Sequence, residues 1–219
     1  MTVIDRSALT PENLFADPYP VWERLRREAP VHFFPLSHEY LITRWDDCWT
    51  AGKTTDVFVP SGSYKPLART MGQPNILSMW GPDHLSLREG LNESLRPSAV
   101  ESYIERLARP VARRYVEAVL RRGEADLTTE LFEPISVRVI GSVLGLDEVD
   151  NATLTRWFHA LNRGCQNVHD DPAVWSIVDG VKQEIDELLR PLIERVTRKP
   201  DGSLVSHMVH GGLPEGQTR

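Results

Sequence analysis

His84 and Arg88 are the residues whose types and spacing come nearest to a chemical site in this sequence. They stand four residues apart, and on a helix that spacing puts both side chains on one face. Side by side, a planar cationic fork and a shorter ring donor can grip a carboxylate or a phosphate. Trp80 lies one turn further back, although Gly81-Pro82 sets it just outside the helix. A His and an Arg on one helix face are more often solvated or paired locally, so the spacing alone does not assign them a role.

Other groups offer less. His207-Met-Val-His210 presents two metal-type ligands at i, i+3, and Asp170-Asp171 adds acids. No His-Glu-x-x-His or paired Glu-x-x-His accompanies them, so no metal centre is expected. Gly-x-Ser-x-Gly is absent, and Ser61-Gly-Ser63 falls in an unpatterned stretch, which argues against a serine hydrolase. The two cysteines, Cys48 and Cys165, are too few for a disulfide framework and too far apart for a zinc-type pair. No residue is assigned a catalytic role.

The elements that would position the His–Arg pair are mostly helical. Pro18 suits the first turn of a helix that runs to Glu28 and stops at Ala29-Pro30. Residues 31–34 and 39–45 read as two strands of a hairpin, with Pro35-Leu-Ser-His38 as the turn. A short helix over 46–52 follows. Residues 54–81 hold Pro60, Gly62, Pro66, Gly72, Pro74 and Gly81 without periodicity, and read as one long loop. From there to residue 210 the pattern is helical. A helix over 82–95 carries the pair. Val100, Ile104, Leu107, Val111, Tyr115 and Val119 then mark one buried stripe, closed by Gly123. Residues 129–144 make the next helix, with Pro134 predicting a late start or a kink. Helices over 152–168, 172–196 and 203–209 complete the chain, with Pro191 expected to bend or shorten the second of these. The fold class is mainly α with one small hairpin, and the chain reads as a single region over 1–219.

Composition narrows the function classes. The chain has 219 residues, 26% of them charged, and a net charge of −6, which disfavours a non-specific nucleic-acid binder. Arg113-Arg114 and Arg121-Arg122 sit inside helical patterns and read as solvated faces. No basic stretch followed by a long apolar run opens the chain, so no signal peptide is expected. The densest apolar stretch, 137–146, is broken by Arg138, Gly141 and Ser142 and is too short to span a membrane. A cytoplasmic location is the expectation.

Five segments, in order, give the chain a family likeness. They are Leu41-Ile-Thr-Arg-Trp-Asp-Asp47, Gly81-Pro-Asp-His-Leu-Ser-Leu-Arg88 with Leu95-Arg-Pro97, Gly123-Glu-Ala-Asp-Leu127, Pro134-Ile-Ser-Val-Arg-Val-Ile-Gly-Ser-Val-Leu-Gly-Leu146, and Asp201-Gly-Ser-Leu-Val-Ser-His-Met-Val209. Together they resemble the N-terminal part of soluble, bacterial-type cytochrome P450s, from helix A to helix H, over about residues 12 to 213. The resemblance implies a haem-thiolate monooxygenase that oxidises a small organic substrate with O2 and a ferredoxin-type electron partner. It implies that His84 and Arg88 contact the haem propionates. It also implies that the loop over 54–81 and the turn over 167–175 border the substrate channel, with Phe58, Tyr64, Met71, Ile76 and Leu77 as candidate substrate contacts. Ordinary packing under a loop would account for those five equally well.

The axial cysteine of that family lies in a glycine-rich loop after a phenylalanine, and no segment of this sequence resembles it. By position Cys48 and Cys165 fall in the second and sixth helices of the family and read as bystanders. The chain alone is therefore not expected to be a competent enzyme. Its apolar helix faces are expected to pair with the remaining half of the fold or with a second copy. The alternative reading is a haem-free, P450-like helper that binds a partner enzyme.

Overall fold

The computed structural model describes residues 10–34, 39–59 and 65–210. The chain divides into two compact units, 1–59 and 60–219.

The first unit opens with a helix that the sequence reading missed, α1 (Pro11–Ala16). Its signal was present in Thr10-Pro11: the threonine hydroxyl accepts from Asn13 N at 3.2 Å, and proline occupies the first turn. Asp17 caps the next helix, α2 (Tyr19–Glu28), by accepting from Tyr19 N at 3.2 Å. Leu25 is wholly buried against Val21, Trp22, Ala29 and Phe34. Strands β1 (Val31–Phe34) and β2 (Glu39–Ile42) form the expected antiparallel hairpin, with Phe33 opposite Tyr40. Those rings meet edge-on at 5.2 Å, as cross-strand aromatics do. The second strand was expected to reach Trp45 and stops at Ile42. Thr43 N closes the hairpin on Pro30 O, and Trp45 instead opens α3 (Trp45–Lys53). Asp46 and Asp47 in its first turn complement the helix dipole. The predicted turn over 35–38 lies outside the described residues.

The second unit is helical throughout its described part. The segment expected to be one long loop contains a helix, α4 (Lys65–Met71), despite Pro66. Proline is tolerated there because it falls in the first turn, where its missing N–H has no partner to lose. Next come α5 (Gly81–Asn92), which runs into a 3-10 turn over Glu93–Leu95, and α6 (Pro97–Tyr103). The expected helix over 100–119 is not continuous. A π-helical segment, Ile104–Ala108, separates α6 from α7 (Arg109–Arg122). A second one, Thr128–Phe132, precedes α8 (Glu133–Leu144). Both stand just before a proline, Pro110 and Pro134, whose ring clashes with the carbonyl four residues back in a regular α-helix. The preceding residues resolve this by reaching one residue further: Arg109 N bonds Ile104 O, and Glu133 N bonds Thr128 O. The stripe from Val100 to Val119 is correspondingly less buried than expected. Val100 and Ile104 are 39% and 45% exposed.

The core lies where α8 packs on α9 (Asn151–Cys165), and α9 on α10 (Pro172–Arg198). Val137, Leu154, Trp157, Ala160, Val181 and Val196 meet there. The Arg138 guanidinium donates to Leu146 O at 2.8 Å and Val149 O at 2.6 Å, which fixes the α8–α9 connection. Asn151 Nδ2 donates to Tyr115 Oη at 2.8 Å and Pro134 O at 2.9 Å, so one amide ties three helices. Pro191 neither ends nor shortens α10. Leu192 and Val196 beyond it are both buried, and that packing holds the last turns. The last helix, α11 (Leu204–His210), packs on α10, α5 and α8.

Gly123 and Gly145 end α7 and α8 with left-handed backbones, at φ 83 and φ 90. A Cβ at Gly145 would stand 2.8 Å from Ser203 Cβ, whereas one at Gly123 would meet nothing within 4 Å. In chemical denaturation Gly123→Ala is expected to cost about 1 kcal/mol, from backbone strain alone. Gly145→Ala is expected to cost about 2–3 kcal/mol, because the contact with Ser203 adds overpacking.

Candidate functional site

The site is built on α5. Gly81 at φ 67 starts it, so Trp80 lies just outside the helix, as expected. His84 is half-buried and Arg88 is exposed, on one face. Among the described residues neither makes a hydrogen bond or an ion pair. Two uncommitted donors of this kind suit an anionic ligand bearing carboxylates. Leu85, next to His84, is 62% exposed.

Only Leu87 of α5 is fully buried, so the packing of α5 itself fixes its position weakly. A polar tether supplies the rest. Ser94, in the 3-10 turn after α5, is 2% exposed, and its Oγ shares a short hydrogen bond with Nδ1 of His207 on α11. The α11 start is knotted in turn. Asp201 Oδ1 accepts from both the amide and the hydroxyl of Ser203, at 2.9 Å for the amide. Ser206 N donates to Ser203 Oγ at 3.1 Å, and Ser206 Oγ accepts from Asp201 N at 3.0 Å. The Ser203 hydroxyl holds the Asp201 carboxyl below the ordinary aspartate range, with the Ser203 amide, Arg195 and His207 adding to the effect. At the other end of α11 a ring nitrogen of His210, Nε2, pairs with Val196 O at 2.9 Å. Both histidines of the His-x-x-His pair are thus engaged in holding α11 rather than facing each other's ligand.

The candidate substrate contacts fall on different elements. Met71 ends α4, and Ile76 and Leu77 lie between α4 and α5, with Leu77 64% exposed. Phe58 stands in the first unit, half exposed, and Tyr64 lies outside the described residues. An apolar cavity of about 370 Å³ opens between α8, α9, α10 and α11. Ile140, Phe158, Ile185, Leu189, Ile193 and Met208 help to line it, and none of the four described candidates does. A second hollow, at Arg122, Asp126 and Glu130, is polar, and its groups satisfy one another. The Asp126 amide and the Arg122 guanidinium hold the Glu130 carboxyl below its ordinary range.

The cysteines stand apart from α5 in sequence and element. Cys48 is exposed on α3 and donates to Ile42 O at 3.2 Å, and Cys165 ends α9, half-buried. Among the described residues no helix is long and apolar enough to cross a membrane. Sequence reasoning found the His84/Arg88 spacing but missed the Ser94–His207 tether, whose partners are 113 residues apart and carry no local signal.

No family model matches the chain. It is similar to cyclomarin C epoxidase CymV of Salinispora arenicola (strain CNS-205), at 29% identity over 203 residues. It is also similar to cytochrome P450 130 of Mycobacterium tuberculosis (strain ATCC 25618 / H37Rv), at 26% over 211 residues. Each match covers 90% of this chain and 50% of the relative. Among solved structures, the bacillaene polyketide synthase cytochrome P450 PksS of Bacillus subtilis 168 superposes with a TM-score of 0.75 at 22% identity, over 90% of this chain and 50% of that one. The chain therefore spans about half the length of the curated relatives it matches. The likeness to cytochrome P450s expected from the sequence holds along nearly the whole chain, and the fold is that of the N-terminal half of the P450 fold.

Because Asp201 is depressed in the folded chain, its contribution to stability is complete at neutral pH and is lost as the pH falls through its folded pKa. The melting temperature is expected to drop below about pH 4. Asp201→Asn is expected to melt lower than wild type at neutral pH and to show a shallower acid dependence.

Proposed function

We propose that this chain supplies the cofactor-clamping half of a haem-thiolate monooxygenase acting on a small organic molecule. The observation that carries this reading is the His84/Arg88 pair, two donors one turn apart on α5 with no partner among the described residues. Cytochrome P450s carry haem, and its propionates are the kind of ligand such a pair suits. An epoxidase among the relatives supports the oxygen-transfer reading. When bound, the haem would supply the oxygen chemistry. This chain's own part is to hold and orient the carboxylates through His84 and Arg88, while Ser94 and His207 keep α5 in place. Met71, Ile76 and Leu77 are the proposed substrate contacts, and a ferredoxin-type protein is the proposed electron donor.

The test is a haemin titration of the 219-residue chain, followed by reduction, carbon monoxide and a visible spectrum. Haem uptake without a thiolate-type signature is expected. His84→Ala and Arg88→Ala are each expected to weaken uptake by about tenfold, the size of a lost charge-assisted hydrogen bond. Uptake that ignores both substitutions would overturn the clamp, and no uptake at all would favour the haem-free helper.

The apolar cavity between α8 and α11 supports a second element of the proposal. Its lining, with Ile140 and Phe158 about half exposed, suits an apolar helix from the remaining half of a P450 fold or from a second copy. Sedimentation of the isolated chain is expected to show association, and an environment-sensitive dye is expected to bind whatever monomer remains. A monodisperse monomer that binds no dye would overturn it.

A further inference from the structure

Helix α4 packs on α9, and its side chains also reach the start of α10. Only Pro66 and Thr70 of α4 are buried, so apolar burial contributes little to its docking. The Thr70 hydroxyl is buried without a partner among the described residues. Thr70 instead fits a notch at Gly164, where a Cβ would stand 2.7 Å from its Oγ1 and 2.7 Å from Val178 Cγ2. That gives shape and no hydrogen bond.

Arg69 supplies the directional contacts. Its guanidinium lies 4.2 Å from the ring centroid of Trp175, a side chain that is 4% exposed. It also stands 3.5 Å from Asp179 Oδ2 and 3.8 Å from Asp170 Oδ1. Trp175 Nε1 donates to the same Asp170 oxygen, so the indole aims the carboxylate as well as stacking under the arginine. Asp170 holds this place with a left-handed backbone, at φ 55, an uncommon conformation for a residue other than glycine. Lys182 Nζ reaches across from α10 to Arg69 O at 2.9 Å. Four groups from one corner thus converge on a single residue of a seven-residue helix.

We infer that Arg69 is a clasp whose contacts decide whether α4 is docked on the α9–α10 corner or released from it. The two carboxylates are solvent-facing and their attraction is screened by salt, so docking weakens as ionic strength rises. The stacking on a buried indole needs a planar cation, and lysine replaces it only in part. Met71 follows two residues later and opens the connection to α5, so the clasp sets where that connection begins. Its consequence for ligand access rests on the pocket reading proposed above, whereas the clasp itself is tested without haem or substrate.

Hydrogen exchange followed by mass spectrometry on the 219-residue chain reads the docking directly. In Arg69→Ala, amides over residues 68–72 are expected to exchange at least about tenfold faster, with α9 and α10 unchanged, the signature of local release. Arg69→Lys is expected to fall between the two, and wild type is expected to shift the same way from low to high salt. Unchanged protection of α4 in Arg69→Ala would overturn the clasp. So would a loss shared equally by α9 and α10, which would make Arg69 a general stabiliser. Should Arg69→Ala not fold, Asp179→Asn removes one arm only. A smaller increase confined to the same amides supports the clasp, and none overturns it.

Discussion

The hydrogen bond between Ser94 and His207 ties the turn that follows the candidate clamp to a helix more than a hundred residues away in sequence. Helix α5 buries one side chain fully, too little to fix its rotation by packing. The bond joins it to α11, and α11 rests on the α8–α9–α10 core. The Asp201–Ser203–Ser206 knot in turn fixes the start of α11. Buried polar groups joined in this way specify one arrangement, because each leaves its partner unsatisfied if it moves.

Local physics was legible in the sequence. Helix starts at Asp150 and Asp171, where the side chains cap Thr153 N and Ala173 N, lie close to where the apolar periodicity predicted them. So does the hairpin, whose β-branched and aromatic residues alternate around a turn signal. The His84/Arg88 pair was readable because i, i+4 spacing is a property of one helix. The rest depends on distance in sequence. Helix α4 was hidden by its prolines and glycines, since proline density reads as loop until its place in a first turn is known. The break in the helix over 100–119 is hidden too: Pro110 stands in the sequence, but nothing local says whether a helix will end, kink or widen there. Ser94, Arg69 and Arg138 carry no pattern, because the carbonyls, rings and carboxylates that meet them come from other helices.

The same distinction explains the exposed apolar surface. Val178 and Val196 of α10 are wholly buried, while Ile140 of α8, Phe158 of α9 and Leu120 of α7 remain open to solvent. A helix with an apolar stripe wider than its neighbours can cover requires a further layer.

The two π-helical segments have an evolutionary consequence. A π turn holds one residue more than the α turn it replaces, and each residue advances a helix by about 100°. Each segment therefore acts as a register joint, a place where a single-residue insertion or deletion is absorbed by widening or narrowing one turn. Upstream of Ile104 and downstream of Ala108 the chain can change its apolar spacing independently, and the same holds on either side of Thr128–Phe132. In a helical scaffold that must keep α5 and the α8–α10 core in fixed relation, such joints let the sequence drift in length without rotating either one out of place.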